Sequence, residues 1–306
     1  MGFLARLLGS APPPPTLPCP PHAPALITAA AWGMLASAAA TFAALTFAVP
    51  PAPYGRHGRS DPANAARYGR GLPARWAWCL QELPAFLLPA ALAVAAARGT
   101  GAGLAGLRAA LGPQRATLLA TFLAHYAHRA LIFPWRIRGG ARTPAGIAAL
   151  AFAFCTYNGL LQGAHLVWCG GGGRGGGGGG GRDVSPALFR AGMAAWAAGA
   201  AINLAADAAL RRLRRVGAPE GGGASAGAYA LPTSPLFALV ACPNYSGEAL
   251  EWAGWAAASG FSLPAVAFAV YTFSNLGPRA RAHNAWYRRT FPGGFEGRAG
   301  MVPWVY

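Results

Sequence analysis

Seven stretches of this chain, residues 25–48, 76–97, 116–135, 144–168, 187–209, 236–258 and 262–277, are apolar over 16 to 25 residues each. A helix of about 20 such residues crosses the hydrocarbon of a bilayer. Backbone polar groups find no water there, so segments of this kind must satisfy their hydrogen bonds internally, as helices. The expected fold class is an all-α membrane protein, with about seven transmembrane helices around a buried cavity. Hydrophobic residues make up 54% of the 306 and charged residues 11%, and the mean hydropathy is +0.33. These values lie outside the range of ordinary soluble domains, and little chain is left for one. The expected organisation is a Pro-rich leader over 1–24, then one membrane-embedded domain over 25–306 with a Gly-rich loop at 170–182. The first apolar run is too long for a cleavable signal and reads as a retained span.

All 25 basic residues are Arg, a usage that suits a GC-rich genome, and the net charge is +17. With seven crossings, residues 49–75, 136–143, 210–235 and 278–306 share one side and hold 17 Arg, against 7 on the other side. The positive-inside rule then puts the C-terminus in the cytosol and the N-terminus in the lumen. The excess charge also suits an anionic leaflet or a polyanionic cofactor. The five Cys show no metal-ligand spacing and read as small buried thiols. The run 170–181 contains G-x-G-x-x-G trivially, but no strand precedes it and no periodic helix follows, so it reads as a loop. Residues 221–227 read likewise.

Only eight carboxylates occur, and Glu82, Asp207, Glu248 and Glu251 sit in or against the apolar runs. Each carries an insertion penalty of roughly 2.5–3.5 kcal/mol, which makes it a functional candidate by default. Gln81 and Glu82 precede Pro84, whose missing N–H favours a bend that could open a cavity. A carboxyl in an apolar cavity tends to stay neutral and can then donate a hydrogen bond to a carbonyl. In His125-Tyr126-Ala127-His128-Arg129, residues 125 and 129 share a face. No acid or thiol stands at helical spacing from the two His, so no metal is expected, and a Tyr126 hydroxyl facing the cavity of Glu82 is the better use. Asn158 and Gln162, four apart, form a polar stripe that suits amide bonding between helices.

Asn203, Asp207, Arg211 and Arg214 fall at offsets 0, 4, 8 and 11 on one helical face, and Asn244, Glu248 and Glu251 repeat the device at 0, 4 and 7. Amides and carboxylates at such spacing can hold sugar hydroxyls, and Arg forks suit phosphates. Glu248 and Glu251 need partners from a neighbouring helix or a donor-rich ligand. Arg279, His283 and Tyr287 recur every four residues, as an interfacial helix or a cytosolic lid over phosphates. Such polar groups should converge on one buried pocket, and a nicotinamide dinucleotide phosphate fits their inventory.

At these residues the chain resembles the steroid 5α-reductase family, from about Tyr54 to Tyr306. The likeness is carried by Leu72-Pro73-Ala74-Arg75, Leu80-Gln81-Glu82-Leu83-Pro84, His125 to Arg129, Asn158-Gly159 with Leu161-Gln162, and Ile202-Asn203 with Asp207. It continues through Leu210-Arg211, Leu213-Arg214, Cys242 to Glu248, Glu251-Trp252, Ser274-Asn275-Leu276, Pro278 to Ala282 and Trp286-Tyr287. The Cys242 to Tyr245 and Ser274 to Leu276 stretches look like the plant branch, which acts in brassinosteroid synthesis. The resemblance implies a seven-helix enzyme of the endoplasmic reticulum membrane that reduces the 4,5 double bond of a 3-oxo-4-ene steroid with NADPH. It implies Glu82 and Tyr126 as catalytic residues on the 3-ketone, with Gln81 beside them in the substrate site. It further implies Asn203, Asp207, Arg211, Arg214, Tyr229, Asn244, Glu248, Arg279, His283 and Tyr287 as the cofactor site. The implied partners are a steroid or sterol-like lipid and membrane lipid, with no nucleic acid and no metal. Two places depart from the family pattern: Ala205-Ala206 stands for a polar pair, and residues 232–235 (Pro-Thr-Ser-Pro) replace a Pro-x-Gly-Gly turn. Competing expectations are a membrane enoyl-CoA or polyprenal reductase, and a transporter using the same carboxylates. The latter predicts inverted halves with broken helices, and the sequence has no such symmetry.

Overall fold

A computed structural model describes residue 17 and residues 19–48, 68–137, 142–169, 184–217 and 230–302, the last four of 184–217 as backbone alone. Most of the leader, the Gly-rich runs, Tyr229 and the Arg214 side chain lie outside the described residues. The elements are α1 (Ala23–Ala43, extended by a π turn Ala44–Ala48), β1 (Gly71–Leu72), α2 (Ala74–Gly99) and α3 (Gly103–Ala127). A π turn, His128–Ile132, leads into the short α4 (Phe133–Arg136), and β2 (Thr143–Pro144) follows. The chain continues with α5 (Ala145–Ala164, then a π turn His165–Cys169), α6 (Pro186–Gly217), α7 (Pro243–Ala258) and α8 (Leu263–Thr290). The one sheet among the described residues is the antiparallel pair β1–β2, with Gly71 opposite Pro144.

The all-α membrane class holds. Among the described residues, Ala23–Ala48, Ala74–Gly99, Ala145–Cys169 and Pro186–Leu213 are long and apolar enough to cross a membrane. Of the other three expected spans, α7 is too short at 16 residues, and α3 and α8 are not apolar enough. In α3, Gly112 takes φ 71° and ψ 169° ahead of Pro113, which divides the helix; a positive φ of this kind suits glycine. The 16 residues of α7 hold two of the carboxylates. In α8 the apolar run and the Arg-rich run form one unbroken helix that passes through Pro278. The segment with Arg279, His283 and Tyr287 therefore continues the helix of the apolar run with no break between them.

Two close helix contacts organise the core. Gly192 and Gly199 of α6 face Gly254 and Gly247 of α7, seven residues apart on each helix. A Cβ on Gly247 would lie 2.6 Å from the backbone nitrogen of Asn203, and one on Gly254 would lie 2.5 Å from that of Trp196. Small residues at such spacing let backbones touch where apolar lipid gives no other drive to associate. Gly159 does the same for α5 against α2, 2.9 Å from the Pro84 carbonyl oxygen by the same measure. Around these seams Phe122, Trp252, Trp255 and Phe268 form the main core, and a smaller one gathers Phe237, Tyr287, Phe295 and Met301. Replacing Gly199 with Leu has no flexible neighbour to displace, because its Cβ would meet the Glu251 backbone. The expected cost reaches or exceeds the upper end of about 1–3 kcal/mol for overpacking, and an unchanged melting temperature in detergent would refute the seam.

The reading of all five Cys as buried thiols is corrected at two positions. Cys19 and Cys169 form a disulfide, with Cα atoms 5.4 Å apart. Cys155 and Cys242 are buried thiols, and Cys79 is a half-buried one. The sequence offered no sign of that pair, since each partner stands alone beside a different span.

Candidate active site

The α6–α7 seam turns the two predicted polar stripes toward each other. Asn203 Nδ2 donates to Glu248 Oε2 and to the Asn244 carbonyl oxygen, each at 3.2 Å, and Asn244 Nδ2 donates to Asp207 Oδ1 at 3.2 Å. Asn203 and Asp207 are buried. Asn244 is thereby engaged in the helix pair. Arg211, one turn beyond Asp207, lies over the Phe133 ring at 6.0 Å. On α8, His283 Nε2 meets the Tyr245 hydroxyl at 3.3 Å, beside Asn244, while Tyr287 is buried in the smaller core and stacks on Phe295 at 4.3 Å. Arg279 stands one turn before His283 on the same helix.

Glu82 and Tyr126 meet on one face of α5. Cys155 Sγ donates toward Glu82 Oε2 at 3.9 Å, and Asn158, one turn along, donates through Nδ2 to the Tyr126 hydroxyl oxygen at 3.1 Å. Gln81 is half-buried next to Glu82. The Tyr126 ring is held by Phe122 at 4.8 Å and by Trp252, stacked at 6.0 Å. Glu82 of α2 and Tyr126 of α3 thus reach side chains one turn apart on α5.

A group outside the expected set joins this pair to the polar seam. Arg129 places Nη2 3.5 Å from Glu82 Oε1 and Nη1 3.8 Å from Asp207 Oδ2, with its guanidinium 4.8 Å from the ring centres of both Trp78 and Phe133. One planar cation therefore spans the α2 and α6 carboxylates in a mostly buried setting, at 12% side-chain exposure. The signal for it was in the sequence: Arg129 lies inside an apolar run, and an intramembrane cation is expected to have a partner. His125 was also passed over. Its Nδ1 lies 2.7 Å from Glu251 Oε1, a buried pair under the edge of Trp252. So Glu248 and Glu251, which needed partners, find Asn203 and His125.

A cleft of about 450 Å³ opens on the neighbouring side of α6, lined among others by Ala205, Arg212, Pro232, Thr233 and Ser234. Both departures from the resembled pattern meet in it, outside the Asn203–Asp207 stripe. Among the described residues, no group of three or more His, Cys, Asp or Glu side chains could hold a metal.

Comparison with known proteins decides the family. The profile of 3-oxo-5-alpha-steroid 4-dehydrogenases matches residues 141–306. The type 1 protein of Bos taurus is 41% identical over 253 residues, 83% of this chain and 87% of the relative. The chain belongs to the 3-oxo-5-alpha-steroid 4-dehydrogenase family. Members from Homo sapiens are similar too: type 1 is 36% identical over 83% of this chain and 86% of its own length, and type 2 is 34% identical over 85% and 90%. Membership in this dehydrogenase family makes the chain an enzyme, an oxidoreductase. The family profile covers α5 to α8, and with them the whole polar seam; Glu82, Tyr126 and Arg129 reach it from the N-terminal half.

Proposed function

We propose that this protein reduces the 4,5 double bond of a 3-oxo-4-ene steroid by 5α-reduction, with NADPH as the reductant. Family membership supports the reaction, and the observation that carries the reading of the site is the Glu82–Arg129–Asp207 bridge. It joins the pair suited to a ketone to the seam suited to a dinucleotide.

The donor set of the seam fits that cofactor. Asn203, Asp207, Asn244 and Glu248 offer amide and carboxylate groups for ribose hydroxyls and a carboxamide, buried among apolar helices. Arg211, with Arg214, Tyr229, Arg279, His283 and Tyr287 toward the basic end of the chain, completes the proposed cofactor site. When bound, the reduced nicotinamide supplies a hydride to the β carbon of the enone. Tyr126 donates a hydrogen bond to the substrate 3-ketone, and Glu82 joins it in polarising that carbonyl; Gln81 helps line the steroid site. Donors fixed in a water-poor site stabilise the enolate charge that develops on that oxygen. The α carbon then takes a proton, so that enone, NADPH and one proton give saturated ketone and NADP⁺. The remaining work of the chain is orientation and exclusion of water.

The proposed topology has seven crossings in the membrane of the endoplasmic reticulum, with the C-terminus cytosolic and 25–306 as a single domain. Two contacts support the parity of the first four crossings. β1 precedes α2 and β2 follows α3 and α4, and the two strands pair, so the chain returns to its starting side between them. The disulfide likewise joins the chain before α1 to the end of α5. The native lipid is proposed to be a sterol of the brassinosteroid type, on the plant-branch likeness of residues 242–245 and 274–276.

The test is purified protein in detergent, given NADPH with a 3-oxo-4-ene steroid, a brassinosteroid-type enone or an enoyl-CoA thioester. Expected is NADPH oxidation matched by 5α-reduced steroid. Turnover of the thioester alone would overturn the reading.

A further inference from the structure

We propose that Asn158 and Gln162 act as a positioning relay that commits the Tyr126 hydroxyl to donating toward the substrate. The inference rests on the reading of Tyr126 as hydrogen-bond donor to the ketone.

The relay starts at a group with no choice of role. The carbonyl oxygen of Pro264, in the first turn of α8, can only accept, and Gln162 Nε2 lies 2.9 Å from it. Reversing that amide would set two oxygens against each other, so the nitrogen end is fixed. The same NH2 group reaches Asn158 Oδ1 at 3.2 Å. Asn158 must accept there with its oxygen, which turns its own NH2 to the Tyr126 oxygen, 3.1 Å away. An amide nitrogen donates and does not accept. The Tyr126 oxygen is therefore the acceptor in that contact, and its single proton is directed away from α5's amides.

Packing removes the other freedoms. Asn158 and Gln162 are fully buried, and Tyr126 is 4% exposed. One turn back on the same face of α5, Cys155 holds Glu82, so Tyr126 is oriented next to the carboxyl with which it shares the ketone. Among the described residues Gln162 Oε1 is buried with no hydrogen-bond partner. A pair kept for cohesion between helices alone would not be expected to leave a buried acceptor unmet; here the strand of donors runs one way, from α8 to the phenol. Were Asn158 free to turn over, its Oδ1 would capture the Tyr126 proton, and the ketone would lose its donor.

The experiment is a double-mutant cycle on kcat, measured with saturating NADPH and a 3-oxo-4-ene steroid, using wild type, Asn158→Leu, Tyr126→Phe and the double variant. Retained NADPH binding by each variant reports an intact fold. Asn158→Leu is expected to lower kcat by roughly 3- to 10-fold, the worth of one ordinary hydrogen bond, with little change in the KM for NADPH. In the Tyr126→Phe background the same substitution should do nothing further. Gln162→Met, which releases Asn158 without altering the contact to Tyr126 directly, should show the same coupling and serves if Asn158→Leu does not fold. Asn158→Asp should be the most damaging of the three, approaching Tyr126→Phe, because an acceptor then faces the phenol. Equal losses in both backgrounds, or no loss in the wild-type background, would overturn the relay while leaving Tyr126 in its role. Undiminished turnover by Tyr126→Phe alone would remove the donor itself, and the relay with it.

Discussion

Tyr126→Phe is expected to lower kcat by about 100- to 1,000-fold, the usual consequence of deleting one fixed donor to a developing oxyanion. NADPH binding should be nearly unchanged, because the hydroxyl contacts α5 through Asn158 and takes no part in the α6–α7 seam. The ring should stay in place, since Phe keeps the stacking on Trp252 and the contact with Phe122. Glu82→Gln should fall less far, because an amide still donates but no longer answers the charge of Arg129. Steady-state kinetics beside cofactor titration would check both, and unaltered kcat in the two variants would take them out of the chemistry.

Arg129→Ala is expected to be worse still, abolishing activity and lowering stability together. It would leave Glu82 and Asp207 as carboxylates in an apolar interior without their shared cation. Removing one partner of a buried ion pair costs about 3–5 kcal/mol, a large share of the roughly 5–15 kcal/mol that typically holds a domain together. Arg129→Lys should not restore the wild type. An ammonium cannot fork to two carboxylates on different helices and also lie flat between Trp78 and Phe133. Thermal unfolding in detergent, read with and without NADPH, is the measurement. A Lys variant as stable and active as wild type would show that the bridge needs charge alone.

Helical periodicity made much of this site legible. The offsets of four and seven put Asn203 with Asp207 and Asn244 with Glu248 on single faces, and burial of those faces against each other follows once the helices are apolar elsewhere. What periodicity cannot supply is the pairing of helices. Nothing along the chain says that Glu251 meets His125 or that Arg129 reaches across to α2 and α6, because those contacts depend on which seams close. The glycines that close them were visible, yet in a chain with 43 Gly they did not stand out from the background. The disulfide escaped for the same reason, being a contact between chain ends of separate helices. The count of spans was the hardest part. Of the helices that bear site residues, α2, α5 and α6 keep the signature of a crossing, whereas α3, α7 and α8 lack it.

The α6–α7 seam has a consequence for motion. Where two helices meet through main chain, no rotamer change can let one slide or tilt on the other, so the rows of Asn203 and Asn244 keep their spacing as bilayer thickness or temperature varies. Any opening that admits a bulky lipid then falls to the rest of the bundle, and α2, which holds Pro84 and Pro89 within its length and Glu82 two residues before the first of them, lacks two of the backbone hydrogen bonds that would stiffen it.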